Sequence, residues 1–431
     1  MDLLIPNLSI ISLTCQTQPS GEQSHKGYGQ AIPFVLTGRD RYHFQPNQRD
    51  TKDELITISF YSYCNEKRHA SISIRIAPNR NLRRRGWERL KLSEGNGFSA
   101  FRLYTTKGDR STRDTVIIYE KPDTANFLSR IPDDTHLGEI TLPGTHESCA
   151  LYGYPISQCQ QPSTPIERQL LDGVRFLDVR LRVVGDELLM YHGPRPQRST
   201  LSALLIVLHE FLQTHPTETL ILSIKEETPP WHPHFSQILY KAFEPFLDEW
   251  VLEERIPTLG EVRGKGLLLT RFDRDKDGNG RWEQGMGIHP YTWPDSRKEG
   301  FEWDCHGTKV RTQDWYRVHT FLEIPEKFDA ITTHLTPTLT LPQSPTFTLS
   351  FLTASYFPLS LPTIIAKGFG FPSWGLGVEG INSRMCRWIL ERMSNGERIR
   401  ACLPIDFYRQ CAGDEGLAEL LVQMNLMGDN Q

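Results

Sequence analysis

The stretch "RFLDVRLRVV", residues 175–184, is an apolar run interrupted by Asp178 and Arg180, and it is followed by the apolar-periodic "LSALLIVLHEFLQTHP" (201–216). The first reads as a strand and the second as a helix: a short run of branched and aromatic residues suits a pleated surface, whereas apolar residues three and four apart line one helical face. The alternation continues on both sides. Upstream lies the strand-like "LGEITLPGTH" (137–146). Downstream come "TLILSIKEE" (219–227), the helix "HFSQILYKAFEPFLDEW" (234–250), "GKGLLLTRFD" (264–273), a short strand "DWYRV" (314–318) and the helix "IPEKFDAITTH" (324–334). The strand "FTLSFLTAS" (347–355), the helix "GINSRMCRWILERM" (380–393) and the strand "RIRACLPIDFY" (398–408) bring the alternation to the end. Roughly seven or eight strands with intervening helices suggest a closed parallel barrel more than an open sheet. The expectation is an α/β fold, a distorted (β/α)8 TIM-type barrel over residues 130–431.

The chain before it has another rhythm. "ELITISFYSYC" (54–64), "ASISIRIA" (70–77), "GFSAFRLYTT" (97–106) and "DTVIIYEK" (114–121) are β-branched and aromatic runs separated by polar turns, several alternating with period two. That pattern predicts a small antiparallel, sandwich-like accessory domain over residues 1–125, with the boundary in "EKPDTANFLSRIPDDTH" (120–136).

Composition narrows the function classes. At 431 residues the chain can bury a sizeable core, and its formal charge of −4 is not the basic excess of a nucleic-acid binder. The one basic run, "RNLRRRGWERLK" (80–91), reads as a solvated face or loop. Eight irregularly spaced cysteines without a C-x-x-C pair fit free thiols in a reducing compartment, with a Cys149 to Cys159 bridge left open. The first residues, broken by Pro6 and Asn7, lack the charged start and continuous apolar core of a secretory signal. No segment has the roughly 20 uninterrupted apolar residues that cross a bilayer. The expected setting is cytoplasmic, with transient, peripheral membrane contact.

Polar residues that interrupt the apolar strands fall mostly at their carboxyl ends: His146 and Glu147, Asp178 and Arg180, His192, Lys225, Arg271, Asp314 with Tyr316, and Asp406. Singly each is unremarkable. Together they describe a polar pocket at one barrel face, holding two histidines, three cations and several carboxylates. Two imidazoles and a guanidinium suit phosphoryl transfer by an internal hydroxyl. One ring takes the proton of the attacking oxygen, the other donates to the leaving oxygen, and the planar guanidinium stabilises charge on the non-bridging oxygens. Asp406 is the candidate carboxylate behind one imidazole.

A competing signal is "RFDRDKDGNGRWEQ" (271–284), with Asp273, Asp275 and Asp277 alternating ahead of Gly278. An EF-hand loop needs a bidentate glutamate where this chain has Gln284, and a helix where it has the strand-like "GKGLLLTRFD". A solvated acidic loop after a strand is the preferred reading.

"ITLPGTHES" (140–148), "QLLDGVRFLDVRLR" (169–182) and "LLMYHGP" (188–194), with the later "LSIKEE", "LLLTRFD", "QDWYRV" and "LPIDF", resemble the catalytic X region of phosphatidylinositol-specific phospholipases C, in the short single-barrel form of bacteria and some fungi. The resemblance covers about residues 130–412. It implies His146 as general base on the inositol 2-hydroxyl and His192 as general acid on the diacylglycerol oxygen. It further implies Arg180 on the phosphate, Asp406 orienting His146, and Asp178 as a supporting carboxylate. Lys225, Arg271, Asp314 and Tyr316 would form the inositol pocket, Tyr316 stacking on the ring. Products would be diacylglycerol and inositol 1,2-cyclic phosphate.

In the larger calcium-dependent relatives an acidic metal ligand stands where Arg180 stands here, and an asparagine stands in place of Glu147. The resemblance therefore implies metal-independent chemistry, no cofactor and no metal site. Metal-independent bacterial enzymes typically carry aspartate after the first histidine, so Glu147, one methylene longer, is a departure at the residue that assists the acid.

The implied partner is phosphatidylinositol in a membrane, with glycosylphosphatidylinositol as a second substrate. The apolar segment "TASYFPLSLPTIIAKGFGFPSWGLG" (353–377) offers contact through residues 356–374; a membrane-inserting loop and a segment packed on the barrel both fit it. The rival readings are a metal-dependent glycerophosphodiester-type phosphodiesterase, against which Arg180 argues, and a catalytically weak inositol-lipid-binding protein, against which the paired histidines argue.

Overall fold

The computed structural model describes residues 2–4, 11–19, 34–36, 41–43, 54–62, 69–76, 86–92, 97–106, 112–272, 282, 285–372, 375–410 and 416–427. The acidic stretch 273–281, Gln284 and Trp374 lie outside them.

The described elements of the amino-terminal region, up to Glu120, are all strands. The strands Phe98–Thr106 and Thr112–Glu120 pair antiparallel, from Phe98↔Glu120 to Thr106↔Thr112, with Trp87–Arg89 on one side and Asp2–Leu4 and Arg41–His43 on the other. A second sheet orders Phe34–Leu36, Ile11–Pro19, Glu54–Ser62 and His69–Ile76. Each of the four β-branched runs read from the sequence overlaps one of these strands, Glu54–Ser62, His69–Ile76, Phe98–Thr106 and Thr112–Glu120. The first sheet is tied to the rest of the chain through Trp87, whose indole N–H donates to Ser383 O at 3.0 Å, and through Ser99, whose hydroxyl donates to Glu419.

From Leu142 onward the strands form one curled sheet, apart from a separate antiparallel pair, Gly368–Phe371 with Leu376–Glu379, and those of the curled sheet are numbered here from that point. They are β1 (Leu142–Thr145), β2 (Phe176–Val184), β3 (Glu187–His192), β4 (Arg195–Thr200), β5 (Leu220–Glu226), β6 (Trp250–Val251), β7 (Gly266–Thr270), β8 (Phe301–Cys305), β9 (Thr308–Gln313), β10 (Thr346–Ser350) and β11 (Cys402–Ile405). Their order is β6-β7-β5-β2-β1-β11-β10-β9-β8, with the β3–β4 hairpin attached to the edge of β2. Every pair along that path is parallel except β8 with β9. β1, β7 and β11 are buried at every residue and β5 at its first five, as expected of strands covered on both faces. The expected closed ladder is not completed by hydrogen bonds among the described residues: the path is open between its ends at β6 and β8.

The covering helices are amphipathic. Leu201–Thr214 buries Leu201, Leu204, Leu205, Leu208, Phe211 and Leu212 and starts at Thr200, whose hydroxyl accepts the Ala203 N–H. Ile381–Asn395 stops at Gly396, where a φ of 73° lets its N–H reach back to Arg392 O and Met393 O.

Two expectations are corrected. "DWYRV" is not a strand: the strand is β9, ending at Gln313. There the Gln313 amide oxygen accepts the Trp315 N–H at 2.8 Å and the buried Lys327 ammonium at 2.9 Å, folding the chain off the ladder. The helix Gly416–Leu426 was not anticipated. It is buried on nearly every side, so it shows no polar face, and its Asn425 side chain bonds both the N–H and the C=O of Thr141 at the amino end of β1. It covers that end of the sheet and leaves the carboxyl ends for the polar residues.

Candidate active site

Strand register assembles the site. β1 runs parallel to β11 with Thr145↔Ile405, so the next residues, His146 and Asp406, emerge side by side, and His146 Nδ1 lies 2.9 Å from Asp406 Oδ1. Gln160 fastens this junction, its amide donating to both His146 O and Ile405 O at 2.9 and 2.8 Å, while Asn382 donates to Asp406 O at 2.9 Å. β2 runs parallel to β5 with Arg180↔Lys225. His192 does not stand at the end of a parallel strand, as the reading by strand ends assumed. It closes β3, which returns antiparallel along β2 with Leu181↔Met190 and so carries His192 back toward the level of Arg180.

Arg180 is the hub. Its Nη2 lies 3.2 Å from Asp178 Oδ2 and 3.2 Å from His146 Nε2; its Nη1 lies 3.3 Å from Glu147 Oε1 and 3.4 Å from Glu227 Oε2. With Nδ1–H donating to Asp406, the His146 Nε2 lone pair faces the guanidinium and the pocket. Across Arg180, His192 Nε2 stands 3.9 Å from Glu147 Oε1, and its Nδ1 meets Ser157 O at 3.0 Å.

The electrostatics follow. Burial alone would lower His146, but Asp406 outweighs it and holds the imidazole above its ordinary value. Burial and then Arg180 lower His192. Burial would raise Asp178, yet Arg180, Arg271 and His146 keep it well below the usual carboxylate range. Of the two glutamates flanking Arg180, Glu227 is lowered, since Arg180 and the Gly193 N–H outweigh its burial. Glu147 is pushed up to about 8, chiefly by burial, so it holds a proton at neutral pH. It occupies a left-handed backbone position, φ 44°, with its own N–H on Asp178 Oδ2 at 3.4 Å. Arg180 and burial push Lys225 down to about 8.

A second group adjoins through Asp178. Arg271 bridges Asp178 at 3.4 Å and Asp314 at 3.3 Å, its guanidinium centred 3.7 Å over the Trp293 ring, and the Trp293 indole N–H donates to Asp314 at 2.9 Å. Tyr316 is set apart. Its backbone N–H donates to Ser296, its hydroxyl donates to Asp295 and the Arg317 guanidinium lies against its ring.

The structure thus brings together His146, Glu147, Asp178, Arg180, His192 and Asp406, with Lys225, Arg271 and Asp314 adjoining. Glu227, Gln160 and Trp293 escaped the sequence reading, and Cys159 entered it only through the bridge to Cys149 that the structure does not form. Glu227 had a faint signal as the second acid after Lys225 in "LSIKEE"; the others had none. Cys149 and Cys159 are free thiols, and burial pushes Cys159 well up, so it is no nucleophile. Segment 356–374 divides between the two readings of it: Ile365 is buried, whereas Phe357, Leu359, Phe369 and Phe371 are exposed. No helix among the described residues is long and apolar enough to cross a membrane.

Residues 149–272 match the family model "Phosphatidylinositol-specific phospholipase C, X domain". Over this stretch the chain is similar to the X domain of the phosphatidylinositol-specific phospholipase C family. The match contains Asp178, Arg180, His192, Lys225 and Arg271, while the X domain's partners His146, Glu147, Asp314 and Asp406 come from flanking sequence.

The chain is 33% identical over 159 residues to 1-phosphatidylinositol phosphodiesterase of Listeria monocytogenes, covering 34% of this chain and 49% of that protein. It is 25% identical over 208 residues to the Staphylococcus aureus protein of the same name, covering 44% and 64%. The chain therefore spans about half to two thirds of these relatives' length. In fold it is similar to the solved phosphatidylinositol-specific phospholipases C of S. aureus (TM-score 0.56, 21% identity, 70% of this chain and 98% of that one) and L. monocytogenes (TM-score 0.54, 21% identity, 70% and 99%).

Proposed function

We propose that the protein is a metal-independent phosphatidylinositol-specific phospholipase C, cleaving the lipid to diacylglycerol and inositol 1,2-cyclic phosphate. The observation that carries the reading is the ordering of His146, Arg180 and the Glu147–His192 pair: a base with its lone pair turned to the pocket, a fixed cation beside it, and proton donors across that cation. In the reaction His146 Nε2 takes the inositol 2-hydroxyl proton as that oxygen forms its bond to phosphorus. The bond from phosphorus to the diacylglycerol oxygen breaks, and that oxygen takes a proton from His192. Glu147, protonated at neutral pH, stands 3.9 Å from His192 Nε2, outside hydrogen-bond distance, so it assists the acid only once a small rotation of either side chain closes that gap. A bound phosphate anion offsets the charge of Arg180 that lowers the free His192 and favours its protonated, donating form.

Arg180 supports metal independence because a guanidinium fixed between Asp178 and Glu227 neutralises the carboxylates that a hard cation would need. Lys225, Arg271 and Asp314 bind the inositol hydroxyls, with Tyr316 as the ring-stacking wall. We read the curled, open sheet as a distorted (β/α)8-type barrel spanning residues 130–431, and residues 1–125 as the sandwich-like accessory domain. Exposed Phe357, Leu359, Phe369 and Phe371 dock the pocket rim on the membrane from the cytoplasmic side.

The test is turnover of phosphatidylinositol vesicles in excess EDTA, followed by phosphorus NMR, with His146→Ala alongside. A cyclic product that survives chelation and disappears in the variant is expected. Activity lost to chelation and restored by Ca²⁺ would overturn the mechanism.

A further inference from the structure

Cys159 has no role in that chemistry, yet its thiol is buried between the two imidazoles. Its Sγ lies 3.7 Å from His192 Nδ1, and Sγ, an imidazole nitrogen of His146 and an Asp406 carboxylate oxygen all fall within 4.8 Å of one another. We propose that Cys159, His146 and Asp406 form an inhibitory site for a soft or borderline divalent cation of the Zn²⁺ or Cd²⁺ type.

Donor chemistry selects the ion. Thiolate, imidazole and carboxylate are the ligand set of zinc, whose ligands at about 2.0–2.3 Å from a tetrahedral ion stand roughly 3.3–3.7 Å apart, so small side-chain rotations bring these three atoms into place. Ca²⁺ and Mg²⁺ require six or more oxygens and find one carboxylate. The set is held in place: Phe407 N–H donates to Cys159 O at 2.9 Å, and Gln160 clamps His146 to Ile405. Arg180 does not occupy the position, because it faces Nε2 of the His146 ring while Asp406 faces Nδ1. The half-buried His146 leaves a way in from the pocket.

Binding breaks the His146–Asp406 hydrogen bond. The thiol releases its proton to solvent as sulfur bonds the metal, and the Nδ1 proton moves to Nε2 as Nδ1 does the same. Nε2 then carries a hydrogen and has no lone pair for a substrate hydroxyl. Binding itself is independent of the proposed function; the loss of turnover rests on it.

The experiment titrates the intact protein, freed of metals and kept in chelator-free buffer, with Cd²⁺ while following cadmium–thiolate charge-transfer absorption, and measures turnover against Zn²⁺. Wild type should show one more cadmium–thiolate bond than Cys159→Ser. Inhibition, scored against each protein's own metal-free rate, should need at least about tenfold more Zn²⁺ in the variant. Cys402→Ser, which alters a buried thiol on β11, should match wild type. Equal absorption in wild type and Cys159→Ser would overturn the site, as would stimulation by Zn²⁺. Should Cys159→Ser fail to fold, X-ray absorption of wild type with one equivalent of Zn²⁺ decides: a sulfur neighbour at about 2.3 Å is required, and its absence refutes the proposal. A protein without lipase activity still gives the spectroscopic answer, so failure of the site and failure of the proposed function are told apart.

Discussion

Arg175, just ahead of β2, and Arg180, midway along it, both stand beside glutamate, the first fully buried and the second partly, and they are used in opposite ways. Every nitrogen of Arg175 is bonded: Nε and Nη2 to Glu218 at 3.0 and 2.8 Å, Nη1 to Leu170 O and Val174 O, and Nη2 also to Thr124 O and Ala125 O. Arg180 has two carboxylates, Asp178 and Glu227, and the protonated Glu147 around it, none closer than 3.2 Å, and its Nε is buried without a partner. A guanidinium with five matched donors has nothing left for a ligand. One held loosely among excess carboxylates stays charged and retains capacity for a planar anion. The amino end of the sheet is therefore built for stability and the carboxyl end for binding.

The sharpest way to break this contrast is to keep the charge at Arg180 and change its shape. Arg180→Lys should lower kcat about 10²- to 10³-fold, the scale of losing one preorganised transition-state donor, with little change in melting temperature. Full activity in the variant would refute the assignment of Arg180 to the phosphate. Arg175→Met should do the reverse, leaving Glu218 buried and unpaired. We expect a loss of about 3–5 kcal/mol in denaturant unfolding, with turnover per folded molecule unchanged.

The Glu147–Glu227 pair gives a subtler test through pH. His146 must be neutral to act as base, so activity rises as pH passes its elevated value, above the ordinary 6.5. Glu147 must keep its proton, so activity falls as pH passes about 8. Glu147→Gln should remove that alkaline limb and lower the plateau; a limb that persists assigns it to another group. The same shift sets stability. A carboxyl raised by burial contributes fully below its unfolded value near 4.5, and that contribution is lost as pH climbs toward 8. Relative to wild type, Glu147→Gln should thus melt higher at pH 9 than at pH 5.

Much of this was legible because burial on both faces makes strands continuous apolar runs, so a polar residue near a strand end stands out. His146, Asp178, Arg180, Lys225, Arg271 and Asp406 announced themselves in that way. Asp314 was found although its strand was misplaced by a few residues. What could not be read depends on partners distant in sequence. Glu226 and Glu227 look alike, yet Glu226 caps the His232 N–H and only Glu227 reaches Arg180. Tyr316 follows Asp314 by two residues, but Ser296 and Asp295 decide where it points. The helix Gly416–Leu426 lacked a polar face because nothing around it is solvent, and the position of His192 depends on a hairpin register.

Trp293 is the smallest and most discriminating case, since no pattern in the sequence marks it. Its ring supports Arg271 and its N–H fixes Asp314, so it acts on substrate only through those two. Trp293→Phe keeps an aromatic face for the guanidinium and deletes the donor to the carboxylate, an effect of about 1 kcal/mol, or roughly fivefold. Because Arg271 and Asp314 are assigned to the inositol hydroxyls and not to the reacting phosphate, the change should appear as a raised KM for phosphatidylinositol with kcat preserved. A fall in kcat at constant KM would move Trp293 to the reacting end of the site and would remove Arg271 and Asp314 from the inositol pocket.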